Sequence, residues 1–206
     1  MQDFLFSTVS DVVVGADSSK QLGDMLTSMN VRRVLIVTDP GIVQLDLLDS
    51  ALQSLHDHNI AVHIYSDVIA DPPASVVVSA VEAAQDFACD GVVGFGGGSS
   101  MDVAKLLAVL IKGEQTLEDI YGVDQITGGR LPLIQVPTTA GTGSEVTMVS
   151  IITTGKTTKA GVVSRTLLAD KVILDARLTV GLPPAVTAAT VLMQWSMLSK
   201  HLPVSA

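Results

Sequence analysis

Residues 91–105, GVVGFGGGSSMDVAK, constrain this chain more than any other stretch. They read as a buried strand (GVVGF), a glycine turn over Gly96, Gly97, Gly98, Ser99 and Ser100, and a helix opening at Met101-Asp102. Successive glycines let backbone N–H groups approach a ligand with no Cβ in the way. The helix behind them aims the positive end of its dipole at the same point, which suits a phosphate or pyrophosphate. The pattern is neither G-x-G-x-x-G nor the Walker loop, because Lys105 follows Asp-Val-Ala rather than a glycine. Taken alone, the stretch also fits a tight strand-to-helix turn that holds nothing.

A chain of 206 residues, 48% of them hydrophobic, is long enough for one large domain, or for a domain and part of another. No apolar run approaches the ~18 residues of a membrane span. The N-terminal MQDFLFSTVSD carries an acid early and lacks a basic region before an apolar one, unlike a secretory signal. A net charge of −9 argues against a nucleic-acid surface and against anionic lipid, so neither nucleic acid nor membrane is an expected partner. Cys89 is the single cysteine, which excludes an internal disulfide and a cysteine zinc cluster. A reducing, cytoplasmic setting is expected.

The rest of the chain falls into units of strand then helix. Residues 4–14 suggest two short strands around a polar turn at Ser7 to Asp11, and Ser18 or Ser19 can cap a helix through Leu22, Met25 and Met29. Val34 to Val37 form a continuous apolar run, the mark of a buried parallel strand, and Thr38-Asp39 stand at its end. An acid there can accept the ribose hydroxyls of an adenosine and repel a 2′-phosphate, or it can simply cap the next helix before Pro40-Gly41. A helical pattern follows through Ile42, Leu45, Leu48, Leu52 and Leu55 to about Asn59, then the strand AVHIYSDV and a proline-started helix over residues 74–87. This alternation predicts an α/β fold, a doubly wound, mostly parallel sheet. On such sheets ligands bind beyond the carboxyl ends of the strands, where Asp39, Asp71 and the turn 96–100 would gather.

A second dense stretch comes later. The buried strand LPLIQVP runs directly into TTAGTGSEVT, whose hydroxyls and free N–H groups suit phosphate, ribose or a carboxamide, or else form an ordinary Ser/Thr turn. Residues 146–153 and 159–164 read as a hairpin across TTGKTT, with Lys159 beginning its second strand, either solvated or reaching a phosphate or ribose.

With GGGSSMDVAK and PTTAGTGSEVT together, the chain resembles the iron-containing (group III) alcohol dehydrogenases, from about Phe4 to Thr190. The resemblance implies a dehydroquinate synthase-like nucleotide-binding domain over residues 1–182, followed from 183 by the start of an all-helical domain that is otherwise absent. It implies NAD as cofactor, a divalent metal (Fe2+, or Zn2+ in some members) in the cleft between the two domains, a small alcohol or aldehyde as substrate, and possible homo-oligomers of the full-length form. Carried over by position, Asp39 matches the acid that holds the adenosine ribose. Gly96, Gly97, Gly98, Ser99 and Asp102 match the pyrophosphate motif, and Thr138, Thr139, Thr142 and Ser144 the second nucleotide loop. Lys159 matches a lysine near the nicotinamide ribose, Thr179 to Leu182 the linker that touches the cofactor, and Asp71 a polar residue on the nucleotide side.

The chain departs from the family after Thr190. There the family continues with Asp-x-x-x-His, two of its metal ligands, whereas this chain reads VLMQWSMLSKHLPVSA. No metal ligand and no catalytic acid or base can be assigned; His201 is misplaced, and His56, His58 and His63 fall in the nucleotide half as structural or solvated side chains. Restoring one lost base after Thr190 allows a reading Gly-Ala-Asp-Ala-Met-Glu-His, which contains the missing i, i+4 pair. The expectation is therefore that 191–206 is an out-of-frame ending, the alternative being a divergent C-terminus, and that this polypeptide alone is inactive and at most binds NAD.

Overall fold

The protein is described here by a computed structural model covering residues 7–155, 158–182, 185 and 187–192. Six strands build the main sheet: β1 (Asp11–Val14), β2 (Arg33–Val37), β3 (Ala61–Tyr65), β4 (Gly91–Gly96), β6 (Leu133–Pro137) and β9 (Lys171–Leu174). They lie in the order β1-β9-β6-β4-β2-β3, and every pairing is parallel. A smaller sheet joins β5 (Gly122–Val123), β8 (Thr158–Val163) and β7 (Val149–Thr154), the last two antiparallel. The expected α/β fold is thus the observed one.

Parallel strands must be covered on both faces, and the apolar runs provide for it. Every residue of β4 and β6 is buried, as is β2 beyond Arg33. On one face Leu35, Val37, Val92, Leu133 and Val172 meet α4 (Ala74–Phe87) and α5 (Gly98–Lys112). On the other, Val34, Ile36, Phe95, Val136 and Ile173 meet α1 (Leu22–Ser28) and α3 (Asp49–Asp57). The alternation along each strand is what divides these side chains between two cores. Gly94 is required by the first of them, since a Cβ there would stand 2.9 Å from that of Ala104 on α5 and closer still to the Gln135 amide.

Four local expectations are corrected. The helical pattern 42–59 is two helices, α2 (Pro40–Gln44) and α3, because Asp46 takes a left-handed turn (φ 53°) between them. Ser18 and Ser19 do not cap α1; they lie buried in a preceding 3-10 turn, where the Asp175 carboxylate accepts from the Asp17 and Ser19 N–H groups and does the work of a cap from across the fold. The glycine helix opens at Gly98, three residues earlier than read, with Gly97 extended as its cap. Strand β7 starts at Val149 because a 3-10 turn over Ser144–Val146 follows Gly143 at φ 65°, and β8 starts at Thr158. Of the two strands expected in 4–14, β1 is seen at Asp11–Val14, and residues 1–6 lie outside the described ones. Residues 187–192 are helical; the remainder of the 191–206 tail, His201 included, lies outside the described residues.

Candidate functional site

Strands β2 and β4 are neighbours, but the chain leaves them in opposite directions. From β2 it passes to α2 and α3 on one face and returns as β3; from β4 it enters α5 on the other face and returns as β6. At this switch point the outgoing loops part and leave a groove beyond the carboxyl ends of the strands.

One lobe of the groove, about 400 Å³, is lined by Asp39, Gly97, Gly98, Ser99 and the loop Val68, Ile69, Ala70. The other, about 540 Å³, takes in Asp71, Asp102, Thr142, Ser144 and Lys159. The lobes share Ala70, Gly98 and Ser99, so the groove bends around the N-terminus of α5. No side chain caps that helix, and the first N–H groups of a helix have no partner within it, so they remain donors for a ligand at this end. A hollow of about 450 Å³ between α3 and the 3-10 turn at Lys20 contains none of the expected site residues.

The turn is built to stay open. Gly96 has φ 149°, and a Cβ on it would lie 2.9 Å from Ser100 Oγ and 3.3 Å from Asp39 Oδ2. Gly98 is pressed by Thr142, 3.1 Å from where its Cβ would stand. Gly97 is different: a side chain there would meet nothing closer than Thr139, at 3.7 Å. The protein tolerates a Cβ at Gly97; only something seated over the turn would not.

Of the two roles read for Asp39, the structure shows the helix cap. Its Oδ1 caps α2, accepting from the Gly41 and Ile42 N–H groups at 2.9 and 3.2 Å, while Oδ2 is left toward Gly96 and the groove. Thr138 and Thr139 follow β6 behind the glycine turn, and both hydroxyls are buried without a hydrogen-bond partner among the described residues, as is that of Thr38 at the tip of β2. A buried hydroxyl left unpaired costs about 1–3 kcal/mol. None of these three threonines lines either lobe.

Asp102 and Ser144 are engaged mainly with the protein. Asp102 Oδ1 accepts from Ser144 Oγ (2.5 Å) and Lys105 Nζ (3.3 Å), and Oδ2 accepts from the Ile151 N–H (3.0 Å). Lys159 Nζ donates to Asp71 Oδ1 at 2.5 Å, and both residues line the larger lobe. Thr179 bonds Ala176 O within the short helix α6 (Arg177–Val180), and Thr179 and Leu182 line neither lobe.

Sequence reasoning passed over Lys105 and the loop Val68–Ala70. Lys105 carried a signal: a lysine between Ala104 and Leu106 on a helix facing a sheet has to find partners. It is fully buried, with burial lowering its pKa and Asp102 pulling it back. The loop carried none beyond its place after the third strand.

The sequence profile of the iron-containing alcohol dehydrogenases matches residues 10–176. The chain belongs to the iron-containing alcohol dehydrogenase family. It is 41% identical over 180 residues to long-chain-alcohol dehydrogenase 1 of Geobacillus thermodenitrificans, covering 86% of this chain and 45% of that one. Its fold superposes on the NADH-dependent butanol dehydrogenase A of Thermotoga maritima with a TM-score of 0.88 at 30% identity, over 97% of this chain and 50% of the other. A sulfoacetaldehyde reductase from Bifidobacterium kashiwanohense, solved in complex with NAD+, gives 0.83 at 29% identity, over 94% and 51%. The chain spans about half the length of the relatives it matches.

Among the described residues no three of His, Cys, Asp and Glu stand together as a metal site. His58 bridges α3 and α1 through Ser54 O and Asp24, His63 stacks on Phe87 at 5.5 Å, and His56 lies on the surface beside Asp57. The donor set of the described residues does not fit an iron or zinc ion.

Proposed function

We propose that this chain binds NAD along the bent groove and forms the nucleotide-binding half of an NAD- and metal-dependent alcohol dehydrogenase acting on a small primary alcohol or aldehyde. The observation that carries the reading is the pair of lobes meeting at the uncapped start of α5: two nucleosides need two lobes, and a pyrophosphate needs donors between them. The room beside Gly97, where a Cβ would meet nothing closer than 3.7 Å, fits such a guest. That the B. kashiwanohense relative was solved with NAD+ supports the choice of dinucleotide.

When bound, NAD supplies the hydride acceptor or donor at its nicotinamide. The chain's own residues bind and orient. Asp39 Oδ2 accepts a ribose hydroxyl and repels a 2′-phosphate, favouring NAD over NADP. The Gly98 and Ser99 N–H groups take the pyrophosphate, and Ile69, exposed at the first lobe, offers an apolar wall to adenine. Lys159, in the second lobe, exchanges Asp71 for the second nucleoside.

The test compares NAD with its halves by titration calorimetry, alongside a butanol turnover assay. NAD should bind more tightly than either AMP or nicotinamide mononucleotide, and the 206-residue chain should show no turnover. AMP binding as tightly as NAD would confine the site to one lobe, and turnover by this chain would reveal catalytic groups beyond those described.

A further inference from the structure

Lys105 is the one lysine in the protein with no exposed surface among the described residues, and it sits under the deeper lobe of the groove. Its three N–H donors face four acceptors, Val149 O at 2.7 Å, Ser144 Oγ at 2.9 Å, Thr147 Oγ1 at 3.2 Å and Asp102 Oδ1 at 3.3 Å, so one proton is shared between two of them. All four of these residues line that lobe. They come from three separate pieces of chain: helix α5, the threonine loop and strand β7.

Two consequences follow from elementary chemistry. An ammonium only donates, so the Ser144 oxygen that accepts from it turns its own proton to Asp102 Oδ1, and the hydrogen-bond direction across the floor is fixed. The second concerns charge. The Asp102 side chain is only 16% exposed and stands one turn into the helix whose N-terminus faces the groove. Unpaired, its carboxylate would lower the potential where a phosphate must sit and would itself be a buried, uncompensated ion.

We propose that Lys105 is a positioning residue of the nucleotide site, tying the threonine loop and β7 to α5 and cancelling the charge of Asp102 beneath the groove. The inference rests on the dinucleotide reading above and deepens it: Asp102 acts through Lys105 on the floor and is not a direct cofactor ligand. An isolated hydrophobic replacement of the lysine should expose the carboxylate's charge to the phosphates, and removing that charge as well should undo the damage.

The experiment measures NAD affinity and melting temperature for the parent chain, Lys105→Met and Asp102→Asn/Lys105→Met, with circular dichroism to confirm the fold. Lys105→Met should weaken NAD binding by about tenfold or more and lower the melting temperature, with a loss that shrinks as salt is added. The double variant should regain most of both, because an asparagine can accept from the Ile151 N–H and donate to Ser144 without carrying charge. Unchanged affinity in Lys105→Met, or a double variant weaker than the single one, overturns the proposal. If Lys105→Met does not fold, the double variant decides alone: affinity within about threefold of the parent supports charge cancellation, and a loss of about tenfold contradicts it. Should the parent chain itself fail to bind NAD, the dinucleotide reading falls, and Lys105 is judged on the order of melting temperatures.

Discussion

Two tips of the same sheet treat their polar groups in opposite ways. At the end of β9 the carboxylate of Asp175, 3% exposed, accepts from the Asp17, Ser19 and Arg177 N–H groups and from Ser19 Oγ, all between 2.8 and 3.1 Å. Burial alone would raise its pKa; these hydrogen bonds outweigh it and hold the carboxyl below the usual carboxylate value. At the ends of β6, which pairs directly with β9, and of β4 beside it, α5 starts without a side-chain cap and two buried threonine hydroxyls have no partner among the described residues. One tip is satisfied by the chain's own groups, while the other keeps polar groups without a partner among the described residues. Tyr121 and Gln135 also carry a buried oxygen without such a partner, so the contrast is drawn between these two tips alone.

The comparison can be broken by substitution, starting with the closed tip. Asp175→Ala strips the partner from buried donors and should cost about 3 kcal/mol or more in urea denaturation, with a small effect on NAD affinity beyond the loss of folded protein. A stability change below about 0.5 kcal/mol would mean that the closed tip contributes little. Gly97→Ala at the open tip should do the reverse. Stability should stay within about 0.5 kcal/mol, because φ is −79° and no protein atom is crowded, while NAD binding falls about tenfold. Equal binding by the alanine variant would mean nothing sits over the turn.

Much of this was legible in the sequence where a single local force decides. The helix 74–87 was read to the residue because Pro72-Pro73 set its start and the apolar spacing set its face. Both glycine and threonine stretches were found because small residues at a strand end have few other uses. The readings failed where distant chain intervened. Ser19 looks like a cap until Asp175, far along the chain, takes the N–H groups first. Nothing near Asp102 in the sequence signals that Ser144 and Ile151 fold onto it beside Lys105. Asp46 reads as one more residue in a helical pattern, yet its left-handed backbone (φ 53°) divides that pattern into α2 and α3.

Smaller effects sharpen the contrast. Thr138→Val removes an orphaned hydroxyl, so it should leave stability unchanged or raise it by up to about 1 kcal/mol while weakening NAD binding a few-fold. A destabilised variant would show that the hydroxyl already has a partner. On the scaffold side, His58 donates to Ser54 O and Asp24 when charged, and these bonds raise its pKa above the ordinary 6.5. Its contribution is therefore fully present below about pH 6.5 and lost as pH rises through the folded value. His58→Gln should flatten that part of a stability-against-pH curve, and an unchanged curve would assign the slope elsewhere. Asp170 runs the other way. Burial pushes its pKa up, but the Arg130 guanidinium and the Leu133 N–H win and depress it, so its share of stability is lost as pH falls through the folded value.

The central claim is that the open strand tips hold a dinucleotide, and the most direct measurement is titration calorimetry of the purified chain with NAD and, separately, NADP. The account predicts saturable binding of one NAD per chain, with NADP weaker because Asp39 Oδ2 meets its 2′-phosphate. A chain that is folded by circular dichroism yet gives no heat with NAD, or that prefers NADP, would contradict it.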